Sequence, residues 1–265
     1  MTLLKKYILY HLQNVGTSIL SALSLRGSFL MQAIFLFLSN LFFFSFWLIY
    51  FDQFSSLKGW NIEEMACLFG IVSGSYGIFT IFFGGARFLA RIIFEGDLDS
   101  VLVRPINPLV QLLGIKSMPG GWGDIVTSIF FLSYSGYLSF ETLPVILIVL
   151  ASSTTLILAF SILTGSIAFW LGDSHSLGKQ IFEFILTFSN YPKTIYTGIA
   201  RFFLLTIIPS GFVGFLPVEV IKDPSARLLL MIVGFSSLYL VVSVLIFKRG
   251  LRNYCSGNLM GFRIS

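Results

Sequence analysis

Charged residues are sparse in this chain and lie in clusters, so long apolar runs remain between them. Runs without Asp, Glu, Lys or Arg cover residues 27–51, 65–86, 125–140, 142–172 and 228–247. About 20 apolar residues are needed to cross a hydrocarbon layer of about 30 Å, and a charge at its centre costs about 2.5 kcal/mol or more. Each of the five runs is therefore predicted to be a membrane-spanning helix.

The run 125–140 is short for a span, but its flanks support one. A glycine-rich turn at 119–123 precedes it, and Asp124 is predicted to be the N-cap of the helix that follows. Glu141 comes directly after the run, where its side chain can reach the membrane interface. We therefore count this run as a span.

The stretch 172–227 is interrupted by charges and helix breakers and leaves two apolar pieces, 176–191 and 194–218. The basic residues near both ends of the chain should share one side of the membrane, which requires an even number of spans. Only one piece then crosses, and six transmembrane helices are predicted. Either 176–191 crosses and 193–218 is a re-entrant segment, or the second piece is a kinked ordinary span.

The distribution of Lys and Arg predicts the topology. With six spans, twelve of the 17 basic residues fall on one side, which is expected to be cytoplasmic and to hold both termini. The first 26 residues are amphipathic and are interpreted either as a helix on the membrane surface or as a cytosolic interface helix. The twelve basic residues are Lys5, Lys6, Arg26, Arg87, Arg91, Arg104, Lys116, Lys179, Lys248, Arg249, Arg252 and Arg263.

Composition excludes a soluble globular protein, since 56% of the 265 residues are hydrophobic and only 11% are charged, against about 25% charged in soluble domains. The net charge of +5 reflects the loop bias rather than a nucleic-acid partner. The glycines around 172–178 have the wrong spacing for a phosphate-binding loop, and His11 and His175 lack the companions of a metal site. No catalytic or metal-binding residue is predicted.

The most informative polar stretch follows the second predicted span. Arg87, Arg91 and Glu95 recur every four residues on one helix face, and Gly96 then breaks that helix. A second short apolar face follows, formed by Leu98, Val101 and Leu102 and ended by Pro105. Amphipathicity alone fits either an interfacial helix on lipid headgroups or a segment that inserts into the groove of a partner.

Residues 95–108 read EGDLDSVLVRPINP and resemble the G-D-L-D-x-x-L-x-R-P-x-N-P signature of a family of prokaryotic ABC transporter permeases of the type-2 exporter class. Three further segments agree in the same order along the chain. Residues 59–64 resemble the family's G-W-x-x-x-E, residues 191–196 its P-x-x-I-Y, and residues 208–217 its I-P-x-x-F-x-x-x-x-P. The resemblance extends over roughly residues 25 to 250.

The resemblance implies an all-α polytopic permease in the plasma or inner membrane, active in efflux. One transmembrane domain, 1–265, would contain a cytoplasmic amphipathic helix (1–26), a cytoplasmic coupling loop (87–118), a re-entrant or extracellular gate (193–218) and a cytoplasmic tail (248–265). It would bind no cofactor, because ATP and Mg belong to two separate ABC ATPase subunits. A second permease, a similar chain or another copy of this one, would complete the complex.

The resemblance also implies site residues. In the coupling loop we expect Leu98, Val101 and Leu102 to be apolar anchors for the ATPase, while Asp97, Asp99 and Arg104 fix the register by charge and Glu95 completes the interface. The gate or hinge residues implied are Pro192, Arg201, Pro209, Gly211, Gly214 and Pro217.

The main alternative is an ion-coupled secondary transporter of a hydrophobic or amphiphilic solute. Such carriers usually place ionisable residues near the bilayer midplane. Here Asp124, Glu141 and Glu183 all fall within about two helical turns of a predicted span end, which makes a carrier the weaker hypothesis. The many phenylalanines favour an amphiphile or a lipid as the transported molecule over a sugar or an ion.

Overall fold

The computed structural model describes residues 3–172 and 175–254, and over these ranges the chain is helical, without strands. Within these ranges, four helical stretches are long and apolar enough to cross a membrane: Arg26–Gln53, Ile62–Glu95, Leu143–Leu171 and Ala226–Arg252. Short 3₁₀ turns cover Gly84–Phe88 and Lys193–Ile195. The α-helices are α1 (Leu3–Ser24), α2 (Arg26–Gln53), α3 (Ile62–Phe83), α4 (Leu89–Glu95), α5 (Leu98–Leu102), α6 (Pro108–Leu113), α7 (Gly120–Tyr134), α8 (Leu143–Ser166), α9 (Ala168–Leu171), α10 (His175–Ser189), α11 (Gly198–Thr206), α12 (Ser210–Val213), α13 (Phe215–Lys222) and α14 (Ala226–Arg252).

Several helix boundaries follow from local sequence. Helix α3 begins with a capping box, in which the Asn61 side chain accepts a hydrogen bond from the Glu64 N–H at 2.8 Å and the Glu64 carboxylate accepts from the Asn61 N–H at 3.3 Å. Helix α4 ends at Gly96, whose φ of 82° lies in the left-handed region that glycine adopts without a steric penalty. The predicted break at Gly96 is therefore confirmed.

Two predicted spans are shorter in the structure than expected. Helix α7 begins at Gly120 and ends at Tyr134, so its 15 residues extend for about 22 Å. The prediction that Asp124 caps this helix is wrong, because Asp124 lies one turn inside it. Helix α10 also has 15 residues and carries Lys179 and Glu183. The six predicted spans therefore reduce to four that meet the length and composition of a span.

Helix α3 is the centre of the fold. Most of its residues are buried, and it packs against α7, α8 and α2. Helices α2 and α7 approach so closely that a Cβ on Gly123 would lie 2.1 Å from the Ala33 carbonyl oxygen. Helix α8 is joined to α3 by hydroxyl groups, since Thr154 Oγ1 donates to the Ser75 carbonyl at 3.2 Å and Ser75 Oγ donates to the Leu150 carbonyl at 3.4 Å. Small and hydroxyl side chains thus set the packing between helices, as in membrane proteins generally.

The helices place their loops in two groups. At one end, here called the basic end, Ser18 of α1 donates to the Ile115 carbonyl at 3.3 Å, and Tyr254, just after α14, lies beside Asp99. At the opposite end, here called the Trp60 end, Lys222 forms an ion pair with Glu64 in the first turn of α3. Large apolar side chains on α2 and α14 remain exposed between these ends, as expected for surfaces in contact with lipid.

Candidate functional site

The first candidate site is the polar segment at the basic end, residues 87–118. It contains three short helices, α4, α5 and α6, and one buried amide joins α6 to α5 and to the loop between them. Gln111 Nε2 donates to the Ile106 carbonyl at 2.8 Å and to the Val101 carbonyl at 3.2 Å. Asn107 caps α6 by accepting from the Leu109 N–H at 3.0 Å. The segment is therefore a folded unit with a defined outer face.

The two sides of α5 have different surroundings. Leu98 is fully buried and Val101 is 7% exposed, and both belong to the core of this chain, whereas Leu102 is 41% exposed and the adjacent Val103 is 83% exposed. The expectation that Leu98 and Val101 anchor a partner is therefore corrected, because their surfaces are already covered. The apolar side chains that remain open to a partner on this face are Leu102 and Val103.

The charged residues of the segment are also divided. Asp97 and Arg104 are exposed beside Leu102, and Glu95 forms an ion pair with Arg91 at 2.8 Å. Asp99 is half-buried and faces Tyr254, whose pKa is raised to about 12, first by burial and then by the neighbouring Asp99 carboxylate. Asp99 thus connects α5 to the end of α14, while Asp97 and Arg104 are the charges that a partner can reach.

Arg87 joins this segment to the helices behind it. Its guanidinium donates to the Tyr76 hydroxyl on α3 and to Glu183 Oε1 on α10, the latter at 2.7 Å, and it lies 5.6 Å from the centre of the Phe182 ring. These contacts connect the start of the polar segment to two separate helices.

Helix α1 lies along the same end. The His11 ring stacks on Phe83 at a centroid distance of 5.2 Å, and Val15 is buried. Burial lowers the pKa of His11 below 6.5, so the imidazole is neutral in this position at pH 7. The predicted N-terminal helix is present and packs against α6 of the same chain.

The second candidate site is the broken segment at the Trp60 end, residues 193–222. Lys193 near its start forms an ion pair with Glu219 near its end, so the segment returns to the level at which it begins. Lys58 Nζ donates to the Thr194 carbonyl at 3.4 Å, and Lys222 pairs with Glu64. The segment is thereby fastened to the turn that precedes α3.

Three backbone carbonyls of the broken segment accept hydrogen bonds from hydroxyl groups of three other helices. The Ile207 carbonyl accepts from Tyr239 of α14 at 3.0 Å, and the Val213 carbonyl accepts from Ser153 of α8 at 3.2 Å. The Ser210 carbonyl, which also accepts the Gly214 N–H at 2.9 Å, lies 3.1 Å from Ser189 Oγ of α10, whose single hydrogen is shared with the Ile185 carbonyl. Irregular backbone is tolerated inside a membrane only with such partners. This arrangement, here called the carbonyl clasp, holds the segment within the protein.

The predicted gate residues lie around this clasp. Pro209, Gly211 and Gly214 flank or form the four-residue α12 and are buried, and Pro217 is buried in α13. Pro192 is buried just before the 3₁₀ turn Lys193–Ile195. Arg201 lies in α11, and its side chain is outside what the structure describes.

The third feature is a cavity that the sequence analysis missed. It has a volume of about 340 Å³ and lies between α2, α3, α7 and α10. Asp124 lines it while only 5% exposed, and its Oδ1 accepts from Asn40 Nδ2 at 2.9 Å. The sequence signal for this cavity was the Asp124 carboxylate, which lies one turn inside α7. The interpretation of Asp124 as an N-cap placed it at the helix end instead, so its burial was not predicted.

A family model described as "ABC-2 family transporter protein" matches residues 20–257, about nine tenths of the chain. The matched range contains the polar segment, the broken segment and the cavity. No curated protein and no solved structure matches the chain.

Proposed function

Because the chain belongs to the ABC-2 family of transporter proteins, we propose that it is the membrane-spanning permease subunit of an ATP-driven exporter. It acts with two separate ATPase subunits, which hold ATP and Mg, and with a second permease, in the plasma or inner membrane. The observation that carries the proposal is the exposed face of α5 at the basic end, where two apolar side chains lie between an acidic and a basic residue. A partner subunit that covers Leu102 and Val103 would account for their exposure.

In this proposal the chain crosses the membrane six times, through α2, α3, α7, α8, α10 and α14, with both termini cytoplasmic. Helices α7 and α10 are short, but each runs between the same two groups of loops as its longer neighbours. Segment 193–222 is re-entrant, since the ion pair between Lys193 and Glu219 joins its two ends. The carbonyl clasp supports this assignment, because it supplies the partners that irregular backbone requires at membrane depth.

ATP-driven movement enters through α5 and is passed on by Arg87. Leu102 and Val103 insert into the ATPase subunit, and Asp97 and Arg104 set the register by charge. The buried side of α5 and Gln111 make the segment rigid enough to transmit the movement. Arg87 then couples it to α3 and α10, which line the cavity, and alternating access follows from their displacement.

An ion-coupled carrier is the second candidate, and Asp124 is the observation that favours it. Carriers use carboxylates buried at membrane depth to bind and release coupling ions. Asp124 is more deeply buried than a position near a span end predicts. We favour the exporter because it gives a role to the exposed residues Leu102 and Val103, which the carrier mechanism does not use.

The first experiment is a pull-down of the full chain from its native membrane in mild detergent, with partners identified by mass and assayed for ATP hydrolysis. Copurification of an ATPase and a second permease is expected. The Leu102→Asp variant should lose the ATPase, whereas Phe140→Asp, at a 96% exposed position outside the polar segment, should retain it. If wild type purifies alone under all salt and detergent conditions, and transport stops with uncoupler but not with ATP depletion, the carrier is correct.

A further inference from the structure

The cavity between α2, α3, α7 and α10 has two kinds of wall. One part is apolar and aromatic, with Phe43, Phe69 and Val72 among its residues. The other part is polar, and its side chains include Asn40 of α2, Asp124 of α7, Thr187 of α10 and Asn190, which directly follows α10. A cavity of about 340 Å³ with convergent polar groups has the size and character of a small-molecule site.

Asp124 is the charged group of this wall. Its Oδ1 accepts the hydrogen bond from Asn40, while its Oδ2 is buried and has no hydrogen-bond partner among the described residues. An unpaired buried carboxylate oxygen is costly, since it has lost water without gaining a donor. A ligand that brings a donor to this oxygen would remove that cost.

Two of the polar groups next to Asp124, the side chains of Asn40 and Thr187, present acceptors, because their hydrogens are already used. Asn40 Nδ2 donates to Asp124 Oδ1 at 2.9 Å and to Thr127 Oγ1 at 3.3 Å, so both of its N–H groups are engaged and its Oδ1 remains. Thr187 Oγ1 donates to the Glu183 carbonyl at 2.9 Å, which leaves its lone pairs free. Around Asp124, these two side chains therefore favour a ligand group that donates hydrogen bonds.

The charges around the cavity point the same way. Arg87 attracts Asp124 through space, but its guanidinium is already bonded to Tyr76 and paired with Glu183. The single positive charge of Arg87 therefore faces the two negative charges of Glu183 and Asp124, so the net charge of these three groups is negative. A cationic ligand is favoured and an anionic one is repelled.

We propose that this cavity binds the ammonium group of an amphiphilic amine, with Asp124 as its counter-ion and Asn40 and Thr187 as further acceptors. The apolar part of the molecule packs against the ring and aliphatic wall of Phe43, Phe69 and Val72. This inference rests on the proposed function in one respect: such an amine is then the class of molecule that the exporter carries.

The test is equilibrium dialysis of the purified full chain in detergent with dansylcadaverine, a fluorescent primary amine, and with its N-acetylated neutral analogue. Wild type is expected to bind the amine about tenfold more tightly than the analogue, the scale of one charge-assisted hydrogen bond. Asp124→Asn should abolish this preference. Asp52→Asn, the same exchange at an exposed carboxylate outside the cavity, should keep it.

A second variant separates loss of the site from loss of the fold. Ser73→Leu places a larger apolar side chain in the cavity wall and should weaken binding of both probes, while size-exclusion profiles stay those of wild type. Equal affinity for amine and analogue, or an unchanged preference in Asp124→Asn, would overturn the inference. If an ATPase copurifies but the protein shows no preference for the amine, the exporter proposal holds and the amine site is wrong. If the protein prefers the amine but no ATPase copurifies, the amine site holds and the exporter proposal is wrong.

Discussion

Nη2 of Arg87 lies 2.7 Å from Oε1 of Glu183, across 96 residues of sequence. The pair joins the polar segment at the basic end to α10, a wall of the cavity. The same guanidinium also donates a hydrogen bond to the Tyr76 hydroxyl of α3. Three parts of the proposed machinery therefore meet at one side chain.

Replacing Arg87 by Lys should lower the stability of the protein by about 1 kcal/mol, because a single ammonium cannot reproduce the forked contacts with Tyr76 and Glu183. The measure is the thermal unfolding midpoint of the detergent-purified chain. Arg91→Lys is the matched control, since Arg91 pairs with Glu95 on an exposed helix face, where the effect should be within about 0.5 kcal/mol. Equal shifts in the two variants would contradict a special role for Arg87.

Ser153→Ala should loosen the broken segment by leaving the Val213 carbonyl without its hydroxyl donor. Interhelical hydrogen bonds in membrane proteins contribute about 0.6 kcal/mol on average, so amide exchange around α12 should accelerate about threefold. Ser152→Ala is the control, because the Ser152 hydroxyl donates only to the Ile148 carbonyl of its own helix. If amide exchange around α12 is unchanged in Ser153→Ala, the carbonyl clasp does not stabilise the broken segment.

Gly123→Ala should prevent α2 and α7 from packing, because the added Cβ meets the Ala33 carbonyl at 2.1 Å and backbone must move to accept it. We expect a loss of at least about 2 kcal/mol, in the upper range for overpacked cores. Gly234→Ala, where nothing lies within 4 Å of the new methyl group, should be neutral or stabilising. Yield and thermal midpoint of the two variants measure the contrast.

Docking of α1 should weaken in mild acid because of His11. Burial lowers the pKa of His11 below the 6.5 of an exposed imidazole, so the folded protein binds fewer protons than the unfolded protein. The free energy of unfolding then falls as pH drops through about 6.5. His11→Phe keeps the stacking on Phe83 without a titratable group, and the fall in thermal midpoint between pH 7.5 and 5.5 should be smaller in this variant. A fall equal to that of wild type would exclude His11 as its source.

Local signals were sufficient for part of the fold. The apolar runs predicted helices at 27–51, 142–172 and 228–247, and long helices lie there. The break at Gly96 and the short helix before Pro105 were likewise predictable. Such features depend on composition and on the backbone preferences of a few neighbouring residues, which a single sequence displays.

Burial on α5 could not be predicted in the same way. Leu98, Val101 and Leu102 form one apolar cluster in the sequence, yet Leu98 and Val101 face the core and Leu102 faces outward. A helix of five residues is too short for periodicity to separate a core face from a partner face. The difference comes from α4 and α6, which pack against α5.

The sequence by itself determined that this is a helical membrane protein, since a chain so poor in charge can satisfy its backbone in lipid only through helices. It also determined the helix break at Gly96, because a glycine there takes the left-handed backbone conformation. Only the tertiary structure decided that Asp124 meets Asn40, 84 residues away, at a cavity, and that Ser153, Ser189 and Tyr239 converge on one broken segment. These contacts depend on how helices pack side by side, and spacing along a single chain carries no record of that packing.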